Sequence, residues 1–365
     1  MMPVDRPAAR RSKLLQGVRA AKLDALLVTN PINVTYLTGF TGDSSYLLIG
    51  PRKTVLFSDS RFETQLQDEC PGLEVHIRTS KTQMGEVLTR ELPKLGLKDL
   101  GIESASMTVA VRDHLAEKLA GLPLSPQVSL VEDLRKIKDA EEIQEIRIAV
   151  RQAEQGFQLL RALLKPEMTE REAANELEHA MRRFGALRAA FEPIVGVGPR
   201  SALPHGRPSG VHLSEAGFVL FDWGAVSPRG YHSDLTRVIP TGKLPPKLEK
   251  VYRVVLNAQE AAIAGIRPGR PAVEVDAIAR KVIEDAGFGK FFGHGLGHGI
   301  GLQIHEEPRM SPISRDVFRP GMVVTVEPGI YLPGIGGVRI EDDILVTRDG
   351  CEVLSSVPKG LDSLA

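Results

Sequence analysis

FVLFDWGAVSPRGYHSDLTRVI, residues 218–239, decides the fold. Two apolar runs flank a turn that contains Pro228 and Gly230, which predicts an antiparallel hairpin. With the turn centred on residue 228, Asp222 and Asp234 fall directly opposite each other on one face. Like charges so placed destabilise a sheet. Two carboxylates held there imply something that neutralises them, and a divalent cation with oxygen ligands is the usual means. The plainer alternative leaves one carboxylate at the turn surface and pairs the other with Arg237.

A second hairpin runs through VVTVEPGIYL, 323–332, and VRIEDDILVT, 338–347. Centred on residue 335, it makes Glu327 and Glu341 diagonal neighbours on one face, unless a bulge near Pro328-Gly329 alters the register. Between the hairpins lies GHGLGHGIGLQIHEEP, 293–308. His294 and His298 are four apart, but five glycines within nine residues oppose a helix. In an extended chain the even separation still puts both imidazoles on one side, and glycine lets backbone and substrate approach closely. Three of the nine histidines fall within twelve residues here, so they do not read as incidental. His305-Glu306-Glu307-Pro308 does not match H-E-x-x-H, which leaves helical zinc-protease chemistry unsupported. His205 lies in SALPHGRPSG, 201–210, a turn-rich stretch expected at the surface.

Each hairpin follows two helices. The first pair is a long amphipathic run over 140–164 and a helix opened by the Thr169/Glu172 capping box and closed at Gly185. A shift of 102 residues superposes Pro166 on Pro268, Glu172 on Glu274 and Gly185 on Gly287, which indicates a duplicated half-domain. Two such halves, joined, make a curved sheet with helices on one face and the other face open for a site. Upstream, short apolar runs at 24–29, 45–50, 54–59 and 73–77 read as strands and 61–70, 81–92 and 108–120 as helices, a small α/β domain without a chemistry motif. His76 and His114 there read as surface or packed residues. A charged stretch at 132–142 separates the two parts and places the domains at 1–135 and 136–365.

Composition narrows the function classes. Of 365 residues, 42% are hydrophobic and 25% charged, as in a soluble globular protein. Lys plus Arg and Asp plus Glu both number 46, so no bulk field favours nucleic acid or anionic lipid as a partner. Cys70 and Cys351 are too few for a disulfide framework or a thiolate zinc site and fit a reducing compartment. No apolar run approaches the ~18 to 20 residues of a membrane span, and the basic start leads into no signal-peptide core, so the expected location is the cytoplasm.

FDWGAVSPRGYHSDLTR, GHGLGHGIGLQIHE, TVEPGIY and VRIEDD, in that order over residues 140–360, resemble the pita-bread metallopeptidases, the family of methionine aminopeptidase, aminopeptidase P and prolidase. NPINVTYLTGFTGDSSYLLI resembles the N-terminal domain shared by prolidase, aminopeptidase P and creatinase, which methionine aminopeptidases lack. The resemblance implies an α+β fold: a creatinase-like α/β domain, then a pita-bread catalytic domain of duplicated ααββ units. It implies a dinuclear centre with Asp222 on one metal, Asp234 and Glu341 bridging both, and His298 and Glu327 completing the shells. It further implies that His205 and His305 hold the substrate carbonyl and help move protons, that Glu327 is also the general base, and that His294 and Arg339 line the substrate site. The implied activity is cleavage of the bond N-terminal to proline in a peptide, by an Xaa-Pro aminopeptidase or Xaa-Pro dipeptidase working as a homodimer. Hard ligands with one imidazole favour Mn²⁺, with Co²⁺ and Zn²⁺ as alternatives. The competing classes are a creatinase-like C–N hydrolase, a lyase and a metal-free binding module. The intact five-residue ligand set distinguishes this chain from the metal-free ones, which have lost ligands.

Overall fold

The computed structural model describes residues 5–360, in two units that meet in sequence between Arg135 and Lys136. In the first unit, helices α1 (Arg6–Ala20), α2 (Pro31–Thr38), α3 (Glu63–Glu69), α4 (Met84–Glu91), α5 (Val109–Lys118) and α6 (Glu132–Arg135) alternate with strands β1 (Ala25–Val28), β2 (Tyr46–Ile49), β3 (Thr54–Asp59), β4 (Glu74–Arg78), β5 (Leu100–Glu103) and β6 (Leu124–Gln127). The strands form one mixed sheet, ordered β4-β3-β2-β1-β5-β6. All four residues of β1 are buried, the pattern of a central strand covered on both faces. Helix α2 lies in a stretch rich in β-branched and aromatic residues. Asn30 caps its start, Pro31 sits at the first turn, and Gly39 ends it in the left-handed region at φ 82°.

In the second unit the duplication is visible in the backbone. Helices α7 (Ala140–Leu163) and α8 (Glu170–Arg183) lead to β7 (Arg188–Ala189), β8 (Ile194–Val197), β9 (Phe218–Trp223), β10 (Ala225–Val226) and β11 (Leu235–Pro240). Helices α9 (Pro246–Gly265) and α10 (Ala272–Asp285) lead to β12 (Gly297–Gly299), β13 (Glu306–Met310), β14 (Val323–Val326), β15 (Gly329–Leu332), β16 (Gly336–Arg339), β17 (Asp342–Val346) and β18 (Cys351–Val353). Both ends of α8 recur 102 residues later in α10, and Gly185 and Gly287 follow them at φ 94° and 83°. The Thr169/Glu172 capping box is present, with Glu172 N–H on Thr169 Oγ1 at 3.2 Å.

Each helix pair covers its own sheet. In the first half Phe157, Leu177 and Met181 pack on Val219, Phe221 and Trp223, with the Phe157 and Trp223 rings stacked at 3.9 Å. In the second half Val251, Val255, Val275 and Ile283 pack on Val324, Val326 and Ile344. Burying each such side chain contributes roughly 1.5–3 kcal/mol, so the helix-bearing face is the stable one. An antiparallel bridge between Thr236 and Glu341, with the Glu341 N–H on the Thr236 carbonyl at 3.2 Å, joins the two halves.

Both hairpin registers differ from expectation. In the first, Ser227 N–H closes on the Tyr231 carbonyl and Gly230 takes φ 87°, which centres the turn on Arg229. Thr236 therefore stands opposite Asp222, and Asp234 is a diagonal neighbour on the same face. In the second, β14 pairs with β17 and β15 with β16 in one continuous register, so Glu327 and Glu341 occupy matching positions at the break between them. There the Glu327 N–H turns to the Leu296 carbonyl and that of Glu341 to Thr236, which interrupts the ladder and leaves both carboxylates on the open face.

Behind that face the next residue, Asp342, points the opposite way. It accepts Arg237 Nη2 at 2.7 Å, Lys359 Nζ at 2.8 Å and Gln259 Nε2 at 2.7 Å, while Arg237 Nη1 holds the Glu341 carbonyl. Burial pushes the Asp342 carboxyl up, but the charges of Arg237 and Lys359 and their hydrogen bonds outweigh it and hold it at about 2. Because this lies below the unfolded value near 3.9, the pair's stabilisation is present above about pH 4 and is lost as pH falls towards 2. Asp342→Asn strands a buried guanidinium and is expected to cost on the order of 3–5 kcal/mol in urea unfolding at pH 7. A loss below about 1 kcal/mol would show that the pair is not structural.

Candidate metal centre and active site

The open face of the second unit forms one wall of a cavity of about 650 Å³, lined among others by His205, Asp222, Asp234, His294, His298, His305, Glu327, Arg339 and Glu341. All nine sequence-expected site residues therefore meet in one place. The glycine-rich stretch supplies its floor in extended form, as β12. Any Cβ at Gly297 would collide with the Thr325 carbonyl and one at Gly299 with that of Glu307, so only glycine lets β12 lie between its neighbours.

Asp234, His298 and Glu341 bring their ligating atoms within 4.8 Å of one another, and all three are buried. His298 Nε2 lies 3.3 Å from Glu327 Oε1 and 3.7 Å from Asp234 Oδ2. Each group has a fixed orientation. Thr236 Oγ1 donates to Glu341 Oε2 at 2.7 Å and Thr325 Oγ1 to Glu327 Oε1 at 3.3 Å, while the His298 N–H reaches Thr325 Oγ1 at 3.1 Å. Asp343 Oδ2 accepts the Asp234 N–H at 3.0 Å. Asp222 stands slightly apart from the buried trio and takes a hydrogen bond from Arg339 Nη2. Arg339 also donates Nε to Thr236 Oγ1 at 3.0 Å and Nη1 to the Tyr331 hydroxyl at 2.7 Å, and that hydroxyl lies 3.0 Å from His294 Nε2. The Arg237 pairing considered for the Asp222/Asp234 turn does not occur, because Arg237 belongs to Asp342.

The donor set fits a cation. Asp222 Oδ1, Asp234 Oδ1 and Glu341 Oε1 are buried with no hydrogen-bond partner, a costly arrangement that a bound ion relieves. Without one, burial and mutual repulsion force protons onto the carboxyls. Asp234 and Glu341 are raised well above the carboxylate range by burial and by their neighbouring carboxylates, and Asp222 is raised by burial against the pull of Arg339. Glu327 is pushed up to about 7, mainly by burial. Burial, with His305 nearby, lowers His298 to about 3, so it offers a neutral imidazole. Burial and Arg339 lower His294 to about 4. A carboxyl raised from about 4.3 unfolded to about 7 binds more protons folded than unfolded, so metal-stripped protein is expected to lose stability as pH rises through that window. Added divalent metal should release protons at pH 6, read by calorimetry in buffers of different ionisation enthalpy. A heat independent of buffer would contradict protonated carboxyls.

Thr236, Thr325, Tyr331 and Asp343 belong to the site although the sequence reading did not single them out. Parity was the available signal: Thr236 is two residues from Asp234, Thr325 two from Glu327 and Asp343 two from Glu341, each on the same face of its strand.

A duplicated helix-and-hairpin fold that gathers four carboxylates and an imidazole at its centre is that of a divalent-metal hydrolase. Residues 144–348 match the model of metallopeptidase family M24 and residues 10–137 that of the Creatinase/Prolidase N-terminal domain. The chain belongs to the M24 family and has its pita-bread α+β fold. It is 39% identical over 339 residues, 93% of this chain and 95% of the other, to the uncharacterized peptidase YqhT of Bacillus subtilis (strain 168). Among solved structures it resembles an Xaa-Pro dipeptidase from Bacillus anthracis at 39% identity and a TM-score of 0.93, covering 97% of this chain and 99% of that one. It also resembles a prolidase from Pyrococcus horikoshii OT3 at 35% and 0.90, covering 97% and 99%, and an X-Pro aminopeptidase from Thermotoga maritima MSB8 at 33% and 0.87, covering 94% and 99%.

Proposed function

We propose that the protein is an Xaa-Pro peptidase, a hydrolase that cleaves the peptide bond N-terminal to proline. The observation that carries this reading is the set of orphaned carboxylate oxygens of Asp222, Asp234 and Glu341 on a cavity wall that also holds His205, His294 and His305. The peptidase names of the relatives and solved structures support it over a creatinase-like hydrolase, a lyase or a binding module.

Asp222, Asp234, His298, Glu327 and Glu341 would hold two divalent ions, and four carboxylates with one imidazole favour Mn²⁺ over Co²⁺ or Zn²⁺. Bound ions would supply Lewis-acid polarisation of the scissile carbonyl and an ionisable water at neutral pH. The Glu327 carboxylate takes the proton of the attacking water and delivers it to the imide nitrogen of the departing proline. His305 and His205 donate ring N–H groups to the carbonyl oxygen as it gains negative charge. His294, held by the Tyr331 hydroxyl, lines the proline side of the cavity, and Arg339 orients Asp222 and adds positive charge to that wall. Proline carries no N–H and has a fixed φ, so a site shaped for its ring needs no acceptor there and leaves the amide of an ordinary residue unpaired.

We place the enzyme in the cytoplasm as a homodimer of an N-terminal domain, 1–135, and a catalytic domain, 136–365, a reading supported by the family resemblance, the balanced charge and the two-cysteine composition. Among the described residues no helix is long and apolar enough to cross a membrane. The test is product analysis of metal-loaded protein on Ala-Pro and Ala-Pro-Ala. Free proline from the dipeptide identifies a dipeptidase, and Pro-Ala from the tripeptide an aminopeptidase. Release from neither peptide contradicts the proposal.

A further inference from the structure

Helix α8 starts at Glu170. An acidic residue in a first helical turn normally serves the helix dipole from the surface. Glu170 is instead fully buried, and its carboxylate gathers both ends of the loop 198–209 that carries His205. Oε1 accepts the Val197 N–H at 2.8 Å at one foot of the loop. Oε2 accepts the Ser209 N–H at 2.8 Å and its Oγ at 2.6 Å at the other foot. Arg200 Nε reaches both oxygens, at 2.9 and 2.8 Å, and its Nη2 crosses the loop to the Arg207 carbonyl at 2.7 Å. Helix capping alone does not account for a buried carboxylate with this set of partners, since an exposed one would serve. The duplicated half makes the point by contrast. At the matching start of α10 stands Ala272, and the loop bearing His305 is tied instead by the buried pair of Lys138 and Glu306.

We propose that Glu170 is a positioning residue for His205: it clasps the two feet of the loop so that the imidazole stands in the cavity before substrate arrives. The proposal rests on the role given to His205 under the proposed function. Without the clasp the loop occupies its competent arrangement for only a fraction of the time, and kcat/KM falls by that fraction.

Glu170→Gln keeps the volume but removes the countercharge of Arg200 and sets an amide N–H against a backbone donor. Four outcomes are expected. The kcat/KM for the better cleaved of Ala-Pro and Ala-Pro-Ala falls about 10-fold or more, bound metal is unchanged, amide exchange over 198–209 accelerates about 10-fold or more, and exchange in β9 stays as in the parent protein. In a His205→Ala background the same change should alter kcat/KM by less than about 2-fold, because the loop then has nothing to position. Multiplicative losses in the double variant, unchanged loop exchange, or an unchanged kcat/KM in the single variant would each overturn the proposal. If Glu170→Gln does not fold, Ser209→Ala removes one bond of the clasp and is read the same way, with an expected effect of about 3-fold. If the parent protein cleaves neither Ala-Pro nor Ala-Pro-Ala, the substrate reading has failed, and the exchange measurement alone decides whether Glu170 holds the loop.

Discussion

Stripping the protein of divalent cations is expected to abolish hydrolysis, and adding Mn²⁺ back to restore it. Asp222, Asp234, Glu327 and Glu341 converge on one wall, three of them with an oxygen that nothing in the protein satisfies. Removing the cations leaves this carboxylate cluster to take up protons, and a protonated carboxyl is neither a metal ligand nor a base. Glu341→Gln and His298→Ala should each lose metal, lower kcat by about 10³ or more, and shrink the rise in melting temperature that metal produces. A ligand that binds only the folded state at 100 times its Kd stabilises by about 2.7 kcal/mol, so the loss is readable in a thermal scan. Full activity in a sample verified to be metal-free would contradict the assignment.

His305→Ala is the second large effect, and it separates chemistry from metal binding. The His305 ring lies 4.4 Å from that of His298 at an angle of 75°, at the exposed rim of the cavity and outside the buried trio of Asp234, His298 and Glu341. Partial burial and the charge of Arg309 lower its pKa, so at pH 7 it is a neutral imidazole with one N–H to donate. A single donor aimed at a developing oxyanion is worth about 10² to 10³ in kcat, and the variant should show that loss with metal content unchanged. Loss of metal would make His305 a ligand, and an unchanged kcat would remove it from the reaction.

The parts of the molecule legible in its sequence are those governed by period and spacing. The alternation in 218–239 and 323–347 put the carboxylates on one face whatever the exact register, because parity survives a shift of the turn centre that moves both partners. The register itself was not legible. One glycine at positive φ moved the first turn by a residue, and the second turn, with Gly334 at φ 74°, is centred one residue earlier than expected, so that Leu332 stands opposite Gly336. Helix α2 has no counterpart in the sequence reading, because the β-branched Ile32, Val34 and Thr35 carry low helix propensity, while Asn30-Pro31 at one end and Gly39 at the other outweigh propensity in the fold. Glu170 could not be told from an ordinary first-turn acid, because its partners lie 27 to 39 residues away. Asp342 was likewise hidden within Glu341-Asp342-Asp343, where only the facing of each residue separates a candidate ligand from a structural ion pair.

The most direct measurement is kcat/KM for Ala-Pro-Ala and Ala-Ala-Ala, side by side on the same metal-loaded protein, with Ala-Pro as a third substrate. A site that excludes an unpaired amide N–H should favour the better proline peptide over Ala-Ala-Ala by about 10² or more. Equal cleavage of Ala-Ala-Ala would contradict the proline assignment and leave a metallopeptidase of broader specificity.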